Sequence, residues 1–146
     1  MRARRERRAV QIRDATEADL PLLVQWNRQL GEDERAASLM TVAQLESRMR
    51  GWLAGDYRAA VFEEHGAPVA YAMYCPEERG IYLRQFFVSR AHRRRGVGRE
   101  ALRLFRERCV PGGVSLSLEV LVHNECALAF WRALGMREHA IGFRAP

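Results

Sequence analysis

The sequence predicts a mixed α/β domain of about six strands and about four helices, and three features predict it. Stretches of strand-like alternation are interleaved with stretches whose apolar residues recur at helical spacing. Turn formers punctuate nearly every junction between them. The length of 146 residues, with 48% apolar and 29% charged residues, fits one soluble domain that buries about two thirds of its unfolded surface.

Val10-Gln11-Ile12-Arg13 alternates like a half-buried strand. Capping residue types follow from Asp14 to Asp19, and Leu20, Leu23, Val24 and Asn27 then begin a helical stripe that runs out near Gly31. Thr41 caps a second helix carrying Val42, Leu45, Met49, Trp52 and Leu53, which Gly55 and Asp56 end. Arg58–Glu63 and Ala67–Tyr74 form a pair of strands about the turn Glu64-His65-Gly66. A second turn at Glu77-Glu78-Arg79-Gly80 leads into the strand Ile81–Val88. Gly96 to Cys109 reads as a helix with Val97, Ala101, Leu104, Phe105 and Cys109 on one stripe, closed by Pro111-Gly112-Gly113. In the strand Val114–Val122, Ser117, Glu119, Leu121 and His123 share the side opposite Leu116, Leu118, Val120 and Val122. Asn124 caps a last helix that ends at Gly135, and Met136–Arg144 supplies a closing strand.

Composition excludes several classes of protein. No apolar run is long enough to span a bilayer, and the arginine-rich start lacks the apolar stretch of a secretory signal, so a cytoplasmic protein without a membrane partner is expected. Cys75, Cys109 and Cys126 are odd in number and widely spaced, which argues against a disulfide framework or a metal site. All 24 basic residues are arginine, and the net charge of +6 is uneven. Residues 1–8 carry +4, residues 9–88 carry −4 and residues 89–146 carry +6. Residues 1–9 read as a flexible basic tail and residues 10–146 as a single domain; the basic C-terminal part suggests an anion site.

The junction between Ile81–Val88 and the helix from Gly96 carries the most chemistry. Paired glycines, Gly96 and Gly98, let a ligand approach the backbone, and the first amides of a helix have no intrahelical partner. With the helix dipole and Arg93, Arg94, Arg95 and Arg99 around them, a diphosphate is the natural occupant. No GxxxxGK[ST] loop occurs. Gly96-Val97-Gly98-Arg99-Glu100-Ala101 matches GxGxxA, yet it leaves too little chain after it for a doubly wound sheet. An arginine-driven nucleic-acid-binding protein is a further alternative, but no aromatic interleaving or nucleic-acid motif accompanies the arginines.

The run Phe86-Phe87-Val88-Ser89-Arg90-Ala91-His92-Arg93-Arg94-Arg95-Gly96-Val97-Gly98-Arg99 resembles the signature of the GNAT N-acetyltransferase superfamily. Leu118-Glu119-Val120, followed by Asn124, Ala127, Phe130-Trp131 and Gly135-Met136, resembles the second half of that signature. Ile12 to Leu20 resembles the usual first strand and helix. The resemblance spans nearly the whole chain from Val10, and its pattern is nearest the branch that acetylates ribosomal-protein N-termini.

That resemblance implies an acyl-CoA N-acyltransferase fold with a mixed, mostly antiparallel sheet and a splay between strands 4 and 5. It implies transfer of an acetyl group from acetyl-CoA to a primary amine by direct attack on the thioester. The diphosphate would lie on Arg93, Arg94, Arg95, Gly96, Val97, Gly98 and Arg99, and the pantetheine arm along Phe86, Phe87 and Val88. A backbone N–H near Val88 would face the thioester carbonyl. Asn124 would touch the cofactor from the other side, and Trp131 would pack beside it. Glu119 is implied as general base, helped by poor solvation in the splay, with His123 in reserve. Trp131 stands where relatives often carry a tyrosine acid, and Arg84 and Gln85 where many carry a carboxylate. These departures keep open a regulatory module that binds acyl-CoA without catalysis. Glu32-Asp33-Glu34 is placed on the acceptor wall, where it could attract a cationic amine. The short tail after Gly135 leaves one edge of that wall either absent or completed by a second subunit in a homodimer. No metal is expected, and the acceptor remains a small-molecule or peptide amine.

Overall fold

The computed structural model describes residues 9–36 and 38–146, so the expected basic tail, apart from Ala9, lies outside the described residues. The elements are β1 (Val10–Asp14), α1 (Leu20–Asp33), α2 (Val42–Ala54), β2 (Arg58–Glu64), β3 (Ala67–Glu77), β4 (Gly80–Val88), α3 (Val97–Cys109), β5 (Ser115–Leu118) and α4 (Glu125–Ala133). They form a five-stranded mixed sheet in the order β1-β2-β3-β4-β5, antiparallel except for β4 with β5. Among the described residues no helix is long and apolar enough to cross a membrane.

Local chemistry explains the boundaries. Thr16 and Asp19 form a capping box before α1, with the Thr16 amide donating to Asp19 Oδ2 at 2.7 Å. Arg13 on β1 grips both oxygens of Asp19 at 2.7 and 2.8 Å and also pairs with Glu63 on β2. Thr41 and Gln44 make a second capping box at the start of α2. Positive φ at His65 (52°) and Gly66 (76°) gives the tight two-residue turn that matches strand twist and joins β2 to β3.

Each face of the sheet has its own core. Leu23, Val24 and Met49 of α1 and α2 pack on Val61, Tyr71, Met73 and Phe87. On the other face Val97, Ala101 and Phe105 of α3 pack on Phe62, Ala70 and Ala72, with Trp131 and Leu134 of α4 at the margin.

Two irregularities position the site. Met73 of β3 faces Gln85 while Tyr74 faces Leu83, so Arg84 is an extra residue, a β-bulge in β4. Pairing of β4 with β5 runs only from Gly80↔Ser115 to Leu83↔Leu118 and stops at that bulge. The expected strand Val114–Val122 is therefore four residues long, and beyond Leu118 the chain parts from β4 as the predicted splay. The closing strand at Met136–Arg144 does not form. So short a β5 offers little edge to pair with, and Gly142 weakens strand propensity in the tail. Ile141 and Phe143 are left 78% and 96% exposed, and the sheet has five strands among the described residues instead of about six.

Candidate active site

The loop between β4 and α3 takes the left-handed turn that its glycines permit. Arg94 (φ 61°) and Gly96 (φ 77°) are both left-handed, and they turn the chain from β4 into α3 with Gly96 as N-cap. The first intrahelical bond there is Glu100 N–H to the Gly96 carbonyl, which leaves the amides of Val97, Gly98 and Arg99 pointing out of the helix end. A Cβ added at Gly96 would meet nothing within 4 Å. One added at Gly98 would lie 3.2 Å from the Phe130 ring and 3.4 Å from Val88, so Gly98 lets α3 pack closely against β4 and α4. Arg94, Arg95 and Arg99 are exposed around this opening, while Val97 is buried beneath it.

Past the bulge, β4 has one open edge. Ser89 N–H donates to Val69 of β3 at 2.8 Å, so by alternation the backbone groups of Val88 and Phe86 face the other way, into the splay. The Val88 carbonyl does receive a bond from that side, from Arg93 Nε at 2.9 Å. Phe86 stacks on Phe130 (6.2 Å) and meets Trp131 edge-on (5.7 Å), so the splay is floored by aromatic rings. The site thus gathers Phe86, Val88, the Arg94–Arg99 loop and Trp131.

Three of the residues assigned to the cofactor make contacts within the chain. Phe87 turns its ring to the opposite face, buried against Trp26 and Tyr71, and its backbone faces β3. Arg93 is already engaged: besides the Val88 carbonyl it holds Asp33 at 2.7 Å and covers the Phe87 ring. Asn124 caps α4, its Oδ1 accepting from Ala127 N–H at 3.2 Å.

Glu119 lies one residue beyond the last β4–β5 pair and is solvent-exposed, in contrast to the poorly solvated setting expected for a base. Tyr82, on the neighbouring strand, senses its charge; burial chiefly, and then Glu119, raise the phenol above its ordinary pKa. His123 is turned away toward α1, its Nε2 2.7 Å from the Glu34 carbonyl oxygen. Of the acidic triplet, Glu32 and Asp33 are tied to Arg90 at 3.1 Å each. Glu34 is half-buried, and burial followed by the Asp33 charge pushes its carboxyl up.

Sequence reasoning missed a second group of residues on the α1–α2 face, beside the bulge. The guanidinium groups of Arg48 (α2) and Arg84 (β4) each lie 4.5 Å from the centre of the Trp52 ring. Arg48 donates to buried Asn27 at 3.2 Å, and Tyr71 OH donates to buried Gln85 at 2.9 Å. The spacing of Arg48 and Trp52, one helical turn apart, was a signal available in the sequence. No group of residues suited to a metal ion occurs among the described residues.

A glycine-opened helix start, close to the open edge of a bulged strand beside a splayed neighbour, is the arrangement that positions the candidate site. The model of the acetyltransferase (GNAT) family matches residues 16–136, and the chain belongs to that family. It is 28% identical over 146 residues to the bovine (Bos taurus) thialysine N-epsilon-acetyltransferase, covering 88% of this chain and 85% of that protein. Its fold is similar to that of a possible acetyltransferase from Clostridium difficile 630, with TM-score 0.77, 21% identity and coverage of 94% and 96% of the two chains. It is also similar to an aminoglycoside N-acetyltransferase, AAC(6')-Iy, solved in complex with CoA, with TM-score 0.69, 16% identity and coverage of 94% and 95%.

Proposed function

We propose that this chain is an acetyl-CoA-dependent N-acetyltransferase that acts on a primary amine in the cytoplasm. The observation that carries the reading is the alignment of the α3 amides with the open Phe86–Val88 edge. The residues present fit the donor: a diphosphate can sit where Gly96 leaves space, and an extended amide-bearing arm can pair with β4 as a strand would.

Acetyl-CoA supplies an acyl group activated as a thioester. The amides of Val97, Gly98 and Arg99, with Arg94, Arg95 and Arg99 around them, hold the diphosphate. The remaining hydrogens of the Asn124 amide approach from the α4 side, and Trp131 and Phe86 exclude water from the arm. The Val88 or Phe86 N–H polarises the acyl carbonyl. The amine nitrogen forms the new C–N bond as the C–S bond breaks; its proton passes to Glu119, directly or through water, and water protonates the departing thiolate. A donor and acceptor filling the splay would exclude solvent from Glu119.

Two acceptor types are suggested: a peptide N-terminus by the sequence pattern, and a lysine-like side-chain amine by the bovine relative's activity. The test is thiol release from acetyl-CoA over a broad panel of amines, preceded by calorimetric binding of acetyl-CoA. Amine-dependent release supports the reading, and a chain that does not bind acetyl-CoA ends it. The exposure of Glu119 and the packing of Trp131 against Phe86 favour a second reading, an acyl-CoA-binding module without catalysis. Binding without release on every amine would support that instead.

A further inference from the structure

Arg48 and Arg84 raise a physical problem that no contact among the described residues resolves. Two guanidinium groups attend one indole ring, and neither forms an ion pair among the described residues. Arg84 gives one hydrogen bond, to Tyr57 OH at 3.3 Å, and Arg48 gives one, to Asn27. Arg48 Nε is buried with no acceptor among the described residues. Burial first, and then the charge of Arg84, disfavour the charged form of Arg48. Glu34 is near enough to attract Arg48 but is not paired with it. Like charges held together beside an unsatisfied buried donor are destabilising unless an anion joins them.

The location gives that anion a role. Arg84 is the bulge residue itself, where β4 leaves β5 and the open edge begins. The backbone of Phe86 lies two residues on, about 7 Å along the strand. We infer that the Arg48–Trp52–Arg84 stack is the acceptor's carboxylate subsite, so that the substrate is an amine bearing a carboxylate within a few bonds. Planar guanidinium forks match a carboxylate bidentately, and both cations are drawn to the Trp52 ring. A polyamine or a polycationic aminoglycoside meets two positive charges at the same place and is excluded.

This inference rests on the acetyltransferase reading, and the experiment separates their failures. Acetyl-CoA binding is measured first by calorimetry on the full chain. Thiol release is then compared for amines that differ only in a carboxylate: lysine with cadaverine, ornithine with putrescine, and β-alanine with ethylamine. Binding of the same compounds is measured in the presence of CoA. The expected result is a preference for the carboxylate-bearing member on the order of tenfold or more in kcat/KM. Arg84→Met, at an exposed position, raises KM for that substrate by a similar factor with unchanged affinity for acetyl-CoA; Arg84→Lys recovers part of the loss. Equal or better use of the decarboxylated amines, or an unchanged preference in Arg84→Met, overturns the subsite while leaving the enzyme intact. If acetyl-CoA binds but no amine reacts, failure of every carboxylate-bearing amine to bind also overturns it. Loss of acetyl-CoA binding itself strikes the underlying reading.

Discussion

Asp33 at the end of α1 and Arg93 in the loop before α3 are joined by an ion pair of 2.7 Å, and Asp33 also holds Arg90 at 3.1 Å. Through these contacts the end of α1 and the loop that leads into α3 are fastened to one another. Arg93, which the sequence assigns to the diphosphate, also fixes the loop proposed to bind it, by way of Asp33 and the Val88 carbonyl.

Replacing Asp33 by asparagine should therefore loosen the loop rather than unfold the chain. Exposed pairs contribute about 1 kcal/mol or less, so stability should change little and acetyl-CoA affinity should fall by about two- to fivefold. Calorimetry and thermal melts check this. Tighter binding would instead mean that Arg93 is a direct phosphate ligand which Asp33 withholds.

The two glycines of the loop should respond differently. At Gly96, φ of 77° makes valine cost about 1–2 kcal/mol of strain, but no neighbour is struck. The chain should fold with a modestly lower Tm and show no measurable acetyl-CoA binding. At Gly98, valine would press on Phe130 and Val88, and overpacking should cost about 1–3 kcal/mol. Circular dichroism melts paired with calorimetry distinguish these outcomes; unchanged cofactor affinity in Gly96→Val counts against the site.

Much of this was legible beforehand. The loop, its glycines and both flanking elements could be read from residue types, because backbone geometry there depends on local chemistry. The bulge at Arg84 could not, since nothing in Leu83-Arg84-Gln85 marks an extra residue; only the register against Met73 and Tyr74 reveals it. That bulge changes which side chains face each way, turning Gln85 and Phe87 to the α1–α2 face while Leu83 and Phe86 meet the other core. The alternation of the tail at His139, Ile141 and Phe143 suggested a strand, but a strand also needs a partner edge of sufficient length, which sequence periodicity does not report.

Glu119→Gln should lower kcat by about a hundredfold, with KM for acetyl-CoA within about twofold of the parent. The loss should be largest near neutral pH. Steady-state thiol release across about pH 6–9 is the measurement. Equal activity in parent and variant would remove Glu119 as base.

Asp19 gives a pH prediction that concerns folding alone. Hydrogen bonds from Arg13 pull its carboxyl from 3.8 down to about 2, against the opposing effect of burial. A lowered carboxyl pKa contributes stability above the unfolded value, and that contribution is lost as pH falls from about 4 through about 2. Asp19→Asn should therefore destabilise the chain by about 2 kcal/mol at pH 7, and the difference from the parent should shrink steadily below pH 4. Urea unfolding at pH 7, 4 and 3 tests this; a pH-independent difference would mean that the Arg13 pairing contributes nothing.

The account as a whole turns on whether the helix start and the open strand edge bind one molecule together. A crystal structure with acetyl-CoA tests this most directly. The account predicts the diphosphate on the amides of Val97, Gly98 and Arg99, and the arm paired with the backbone of Phe86 and Val88 inside the splay. A diphosphate elsewhere on the surface, or an arm that leaves that edge unpaired, would contradict it.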